Sequence, residues 1–159
     1  MNTPFRRRIA GPAAAIALLA GACAAAAAPP QVSVSDAWVR GTVGAQTATG
    51  AFMTLTAPAD SELVAVATSA AGTAELHEMK VDGGVMMMRA VESIPLPAGK
   101  PVRLSPGGYH VMLVGLKSPL PAGVPVTLIL TFRDKSGART TQEVRASVRP
   151  LTAGNPSPR

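Results

Sequence analysis

Turn chemistry recurs so often in this chain that no long stretch combines helical periodicity with freedom from glycine and proline. The 159 residues include 15 Gly and 15 Pro. Proline removes a helical hydrogen bond, and glycine costs backbone entropy inside a regular element. Between these breakers run short apolar alternations of period two, the pattern of half-buried strands. Candidate strands are Val34–Arg40, Gly50–Thr56, Leu63–Thr68, Ala74–Met79, Val85–Ala90, Val102–Leu104, Tyr109–Val114, Val126–Phe132 and Arg139–Val148. Asp82-Gly83-Gly84, Pro97-Ala98-Gly99, Pro106-Gly107-Gly108, Pro121-Ala122-Gly123 and Asp134-Lys135-Ser136-Gly137 lie among them and supply preset or positive φ where the chain must reverse. The expectation is an all-β Greek-key sandwich, a single domain over residues 29–149.

The two ends read differently. Arg6, Arg7 and Arg8 form a basic region ahead of the apolar stretch Ile9 to Ala22, which ends in small residues. That is the pattern of an export signal, expected over residues 1–28. The stretch is interrupted by Pro12 and is shorter than the roughly 18–20 apolar residues that span a bilayer, so no retained membrane span is expected. Ala20-Gly21-Ala22-Cys23 resembles a lipobox with alanine where leucine is usual. Cleavage before Cys23 would leave an N-terminal cysteine able to carry lipid, and with it a membrane attachment. Cleavage later, among Ala22 to Ala28, would leave no cysteine at all. With one Cys no disulfide forms within the chain. Residues 150–159 hold Pro, Gly, Asn and Ser without apolar periodicity and are expected to be a disordered tail. Removing the three arginines of the signal takes the net charge from +6 to +3, with the remaining basic residues scattered singly, so nucleic-acid binding gains no support.

Chemistry is concentrated in one part of the chain. Of two histidines and seven methionines, both histidines and five methionines lie between His77 and Met112. Residues two apart in a strand share a face. His77 pairs in this way with Met79, Met86 with Met88, and His110 with Met112. In the last of these strands Tyr109, Val111 and Leu113 make an apolar opposite face suited to the core, which turns His110 and Met112 away from it. Imidazole nitrogen and thioether sulfur without thiolate or carboxylate form a soft, neutral ligand set that favours Cu(I) over Zn, Mg, Ca or Mn. Thioethers also suit an oxidising compartment, where a pair of free cysteines would be driven to a disulfide.

His77, ten residues, Met88, twenty-one residues, His110, one residue, Met112: this spacing resembles the ligand signature of the periplasmic PCu(A)C copper chaperones. The resemblance extends to Asp36-Ala37-Trp38-Val39-Arg40, Gly50-Ala51-Phe52-Met53 and Gly107-Gly108-Tyr109-His110. It implies a cupredoxin-like β-sandwich that binds one Cu(I) through His77, Met88, His110 and Met112. It further implies delivery toward the copper centre of a cytochrome oxidase, with an oxidase subunit as acceptor and a Sco-type thiol protein as a companion. Met79 and Met86 stay open as auxiliary ligands. The tail lacks the His and Met residues that a second copper would need.

Other readings find less in the sequence. A blue-copper carrier needs a thiolate beside two histidines, and Cys23 lies in or at the edge of the signal. A hydrolase would show a nucleophile motif such as Gly-x-Ser-x-Gly, which is missing, so an enzyme is not expected. A metal-free secreted interaction module is the alternative, in which Met88 and Met112 would serve only stability. Glu75, which shares the His77 face, is favoured over Glu78 as a carboxylate orienting that imidazole. Met53 is expected to pack, Met87 to face core or solvent, and Trp38 to anchor the core.

Overall fold

A computed structural model describes residues 31–153. The expected export signal, Cys23 and residues 154–159 lie outside the described residues. Ten strands follow in order: β1 (Ser33–Arg40), β2 (Ala48–Thr56), β3 (Ser61–Ala67), β4 (Ala71–Asp82), β5 (Val85–Ala90), β6 (Ile94–Leu96), β7 (Pro101–Leu104), β8 (Tyr109–Leu116), β9 (Pro125–Asp134) and β10 (Arg139–Arg149). Nine correspond to the expected strands. β6 was not anticipated, because Ile94-Pro95-Leu96 is too short to show alternation and carries a proline, which suits only an edge. It does sit at an edge, pairing with β3 alone.

The hydrogen-bonded order is β5-β4-β8-β2-β1-β10-β9-β3-β6, with β7 also on β2. Every pairing is antiparallel except β1 with β10. One apolar cluster draws buried residues from every strand except β5. A single cluster fed from both ends of one ladder requires the ladder to fold over itself, so that inner faces meet as in a sandwich. Leu76 of β4, Val111 and Leu113 of β8, Ala51 and Met53 of β2, and Val39 of β1 all point into it. Their neighbours in sequence therefore point outward, and the outer face of β5-β4-β8-β2-β1 is where the histidines stand.

A bulge in β1 decides what joins them. Ser35 pairs with Thr54 but Trp38 pairs with Phe52, so Asp36 and Ala37 together oppose Met53. The extra residue switches the side-chain parity of the strand. Val34 packs toward the core before the bulge, and after it Val39 does, fully buried, while Trp38 is turned to the outer face. Asp36 occupies the left-handed region at φ 51°, a conformation aspartate tolerates better than most residues. Its carboxylate accepts a hydrogen bond from Arg149 on the neighbouring β10. The expected core role of Trp38 is thus corrected. Trp38 is buried, but against Phe52 at 4.4 Å between ring centroids and under the Arg149 guanidinium at 5.0 Å. Met53 packs in the core as expected, and Met87 is exposed to solvent. The segment after β10 begins as a turn, closed by the Ala153 N–H donating to the Pro150 carbonyl.

Gly50 of β2 has a particular use on this face. A Cβ there would lie 2.6 Å from the tip of the Phe52 ring, so the glycine leaves room for that ring to lie back over the strand. Gly50→Ala should force the ring out and destabilise the fold by about 1–3 kcal/mol, the usual range for overpacking. A fall in the urea midpoint with an unchanged m-value checks this, and an unmoved midpoint would count against it.

Candidate metal centre

Strand register assembles the His/Met set that the sequence separates. His77 of β4 stands directly opposite His110 of β8, and Glu75 opposite Met112. On the other side of β4, Met79 stands opposite Met88 of β5, and Val81 opposite Met86. The turn Asp82-Gly83-Gly84, with both glycines at positive φ, closes the β4–β5 hairpin that makes this register possible. The six His and Met residues therefore lie on one face of three adjacent strands. Met79, Met88, His110 and Met112 line a cleft of about 320 Å³ together with Arg40, Gly50, Phe52 and Leu151. His77 stands behind this group, its ring 5.7 Å from that of His110. Met86 is one step further out along β5, shares the face, and does not line the cleft.

Each imidazole is held in a tautomer with a free lone pair. His110 Nδ1 lies 3.0 Å from the Gly108 carbonyl, which can only accept, so Nδ1 carries the proton and Nε2 keeps the lone pair. The same carbonyl accepts from the Met79 N–H at 3.2 Å, tying the Pro106-Gly107-Gly108 turn to β4. His77 Nε2 donates to Glu75 at 2.9 Å, which leaves its lone pair on Nδ1. That Nδ1 is buried without any hydrogen-bond partner. A buried acceptor left unmatched costs roughly 1–3 kcal/mol, and a metal would satisfy it. Glu75 is the partner favoured from alternation, while Glu78, on the other face, pairs with Arg89 at 2.8 Å.

Exposure is graded across the site. His110 is 5% exposed, whereas Met88 on the edge strand is 49% exposed. Phe52, 6.3 Å from His110 between ring centroids, and Trp38 behind it wall the buried side. Among the described residues, no three His, Cys, Asp or Glu side chains gather into a metal-holding group. A metal at this place would therefore depend on thioethers beside the two imidazoles, a donor set that fits a soft monovalent ion. Sequence reasoning missed Arg40 as part of the site because the bulge that brings β1 into line has no periodic signature, and Gly50 and Phe52 because their place beside β8 depends on pairing between strands far apart in sequence. Leu151 was missed because it lies in the segment read as tail.

Burial lowers the pKa of His110 below its ordinary 6.5; the Gly108 hydrogen bond opposes this, and His77 and Arg40 add to the lowering. Between the lowered value and 6.5 the unfolded chain binds more protons, so the contribution of His110 to stability is complete above about pH 6.5 and is lost as pH falls through that window. Thermal melts of chelator-treated protein should show a lower Tm at pH 5 than at pH 7.5. His110→Gln should flatten that dependence, and an equally steep loss in the variant would refute the assignment.

Comparison with known proteins places this face in context. The family model described as "Putative lipoprotein LpqE-like" matches residues 32–147. "Putative lipoprotein Lxx21020" of Leifsonia xyli subsp. xyli (strain CTCB07) is 34% identical over 125 residues, covering 78% of this chain and 73% of that protein. The solution structure of CuI-DR1885 from Deinococcus radiodurans is 34% identical, with TM-score 0.58, covering 79% of this chain and 83% of the other. The copper-bound PCuAC domain from PmoF2 superposes with TM-score 0.58 over 75% of this chain and 92% of that domain. At 21% identity this last likeness is one of fold.

Proposed function

The chain belongs to the LpqE-like family, of PCuAC type, and from that premise we propose that it is an exported Cu(I) metallochaperone. The observation that carries the reading is that strand register sets His77 beside His110, 5.7 Å apart between rings, and gathers Met88, His110 and Met112 around one cleft, a set of imidazoles and thioethers without a thiolate. His77 Nδ1, His110 Nε2, Met88 and Met112 would hold one ion. Met79 lines the same cleft and is available to replace a ligand during exchange. The Cu(I) form of a relative 34% identical, DR1885, supports copper as the cargo.

Exposure of Met88 makes the cargo exchangeable. A thioether on a flexible side chain at an edge strand can leave the metal without disturbing the buried His110. We assign the recipient, from the family resemblance, to the copper centre of cytochrome c oxidase, with a Sco-type thiol protein as companion. On this reading the protein has no catalytic step of its own. Export is supported by relatives described as lipoproteins, and lipidation at Cys23 would keep the carrier at the membrane surface. Among the described residues no helix is long and apolar enough to cross a membrane.

A Cu(I) competition titration against a coloured chelator, on protein purified from the exported fraction, tests the site. Met88→Ala and His110→Ala should each weaken binding by at least about tenfold, equivalent to about 1.4 kcal/mol. Unchanged affinity in both would sink the four-residue site. In cells, a strain lacking the protein should lose oxidase activity at limiting copper and regain it when copper is abundant. Full activity at low copper would point instead to storage or resistance.

A further inference from the structure

Arg40 is the cleft residue that a four-ligand site leaves without a task. It lines the same cleft as Met79, Met88, His110 and Met112, and its guanidinium carbon lies 5.6 Å from the centroid of the Phe52 ring. Nε and Nη2 are buried and have no hydrogen-bond partner. Among the described residues no ion pair involves it, and Glu75, the carboxylate on the same face, is engaged by His77. Arginine ordinarily extends its charged head into water. Here two of the three guanidinium nitrogens are kept from it.

The β1 bulge and Gly50 explain how the charge reaches the site. Val39 pairs with Ala51, which brings Arg40 beside Gly50, and Gly50 pairs with Met112. Gly50 has no side chain to stand between them. Arg40 is thus two strands from Met112, a backbone separation of roughly 10 Å at ordinary strand spacing. Without the bulge the parity of β1 would turn Arg40 toward the core.

A fixed positive charge repels a divalent ion twice as strongly as a monovalent one at the same place, and poor screening enlarges the difference. Glu75 acts in the opposite sense, but it is half exposed and spent on the His77 N–H, so water weakens its field. The geometry points to Arg40 as a charge discriminator whose unbalanced guanidinium holds the cleft to monovalent copper and disfavours Cu(II). Thioethers select Cu(I) through bonding, whereas Arg40 selects it through charge. The two devices are separable by mutation, because Arg40 touches no ligand lone pair. This inference rests on the Cu(I) reading above.

The test compares wild type, Arg40→Gln and Arg40→Lys in the purified full exported protein, measuring Cu(I) affinity, Cu(II) affinity and the midpoint potential of the copper-loaded form. Arg40→Gln should raise the ratio of Cu(II) to Cu(I) affinity about tenfold, read as a midpoint potential lower by about 59 mV for a one-electron couple. Arg40→Lys, which keeps the charge, should stay within about twofold of wild type. Arg40→Met serves as a second neutral variant if the glutamine variant does not fold. Equal shifts in the neutral and lysine variants would assign Arg40 to packing on Phe52 and overturn the inference. An unchanged ratio in the neutral variants would do the same. Failure of wild type to bind Cu(I) would defeat the metallochaperone reading and this inference together. If wild type binds Cu(I) through Met88 and the neutral variants leave the ratio unmoved, only the role of Arg40 falls.

Discussion

Strict alternation of side chains in a sheet is the constraint on which the rest of this molecule depends. Leu76, Val111, Leu113, Ala51 and Val39 are committed to the core, and that commitment turns His77, His110, Met112, Gly50 and Arg40 to the other side of the same strands. The His/Met face is therefore a by-product of core formation, and needs no separate scaffold. A sheet packed on one face against its own folded-over ladder can hold a site rigidly, since moving His110 would mean moving Val111 and Leu113 within the core. The break in alternation within β1, at Asp36 and Ala37, is what extends the outer face to include Trp38 and Arg40.

Within that face, rigidity and looseness are distributed along a gradient. The histidines sit on the inner strands, each with its tautomer chosen by an acceptor that belongs to the same sheet or its turn: the Glu75 carboxylate for His77, the Gly108 carbonyl for His110. Phe52 and Trp38 keep water from that side. The methionines toward the β4–β5 hairpin are progressively more exposed and end on an edge strand with no buried residue. A fixed imidazole pair supplies pre-organised donors, and mobile thioethers supply a way in and out. A carrier needs both properties, because a fully rigid site would retain its cargo.

Much of this was legible beforehand. Nine of ten strands followed from period-two patterns and turn residues, and the outward direction of His110 and Met112 followed from the apolar character of Tyr109, Val111 and Leu113. Glu75 was singled out over Glu78 by the same alternation, and the structure places it 2.9 Å from the His77 ring. The misses have a common cause. Ile94-Pro95-Leu96 is too short to carry a period, and the apolar bulk of Trp38 points it inward without revealing the bulge. Residues whose roles depend on strands far apart in sequence, such as Gly50, Arg40 and Leu151, had no local pattern to mark them.

By itself the sequence determined which residues could bind a soft metal and which face of each strand they occupy, because those properties are local: donor chemistry belongs to the side chain, and facing belongs to a repeat of two. Only the tertiary structure decided that β4 lies between β5 and β8, that His77 meets His110 across a strand pair, and that a bulged β1 brings an unpaired arginine into line with Met112. Strand order and register are set by long-range hydrogen bonding and by the filling of one shared core. Neither leaves a signature in any single segment of the chain.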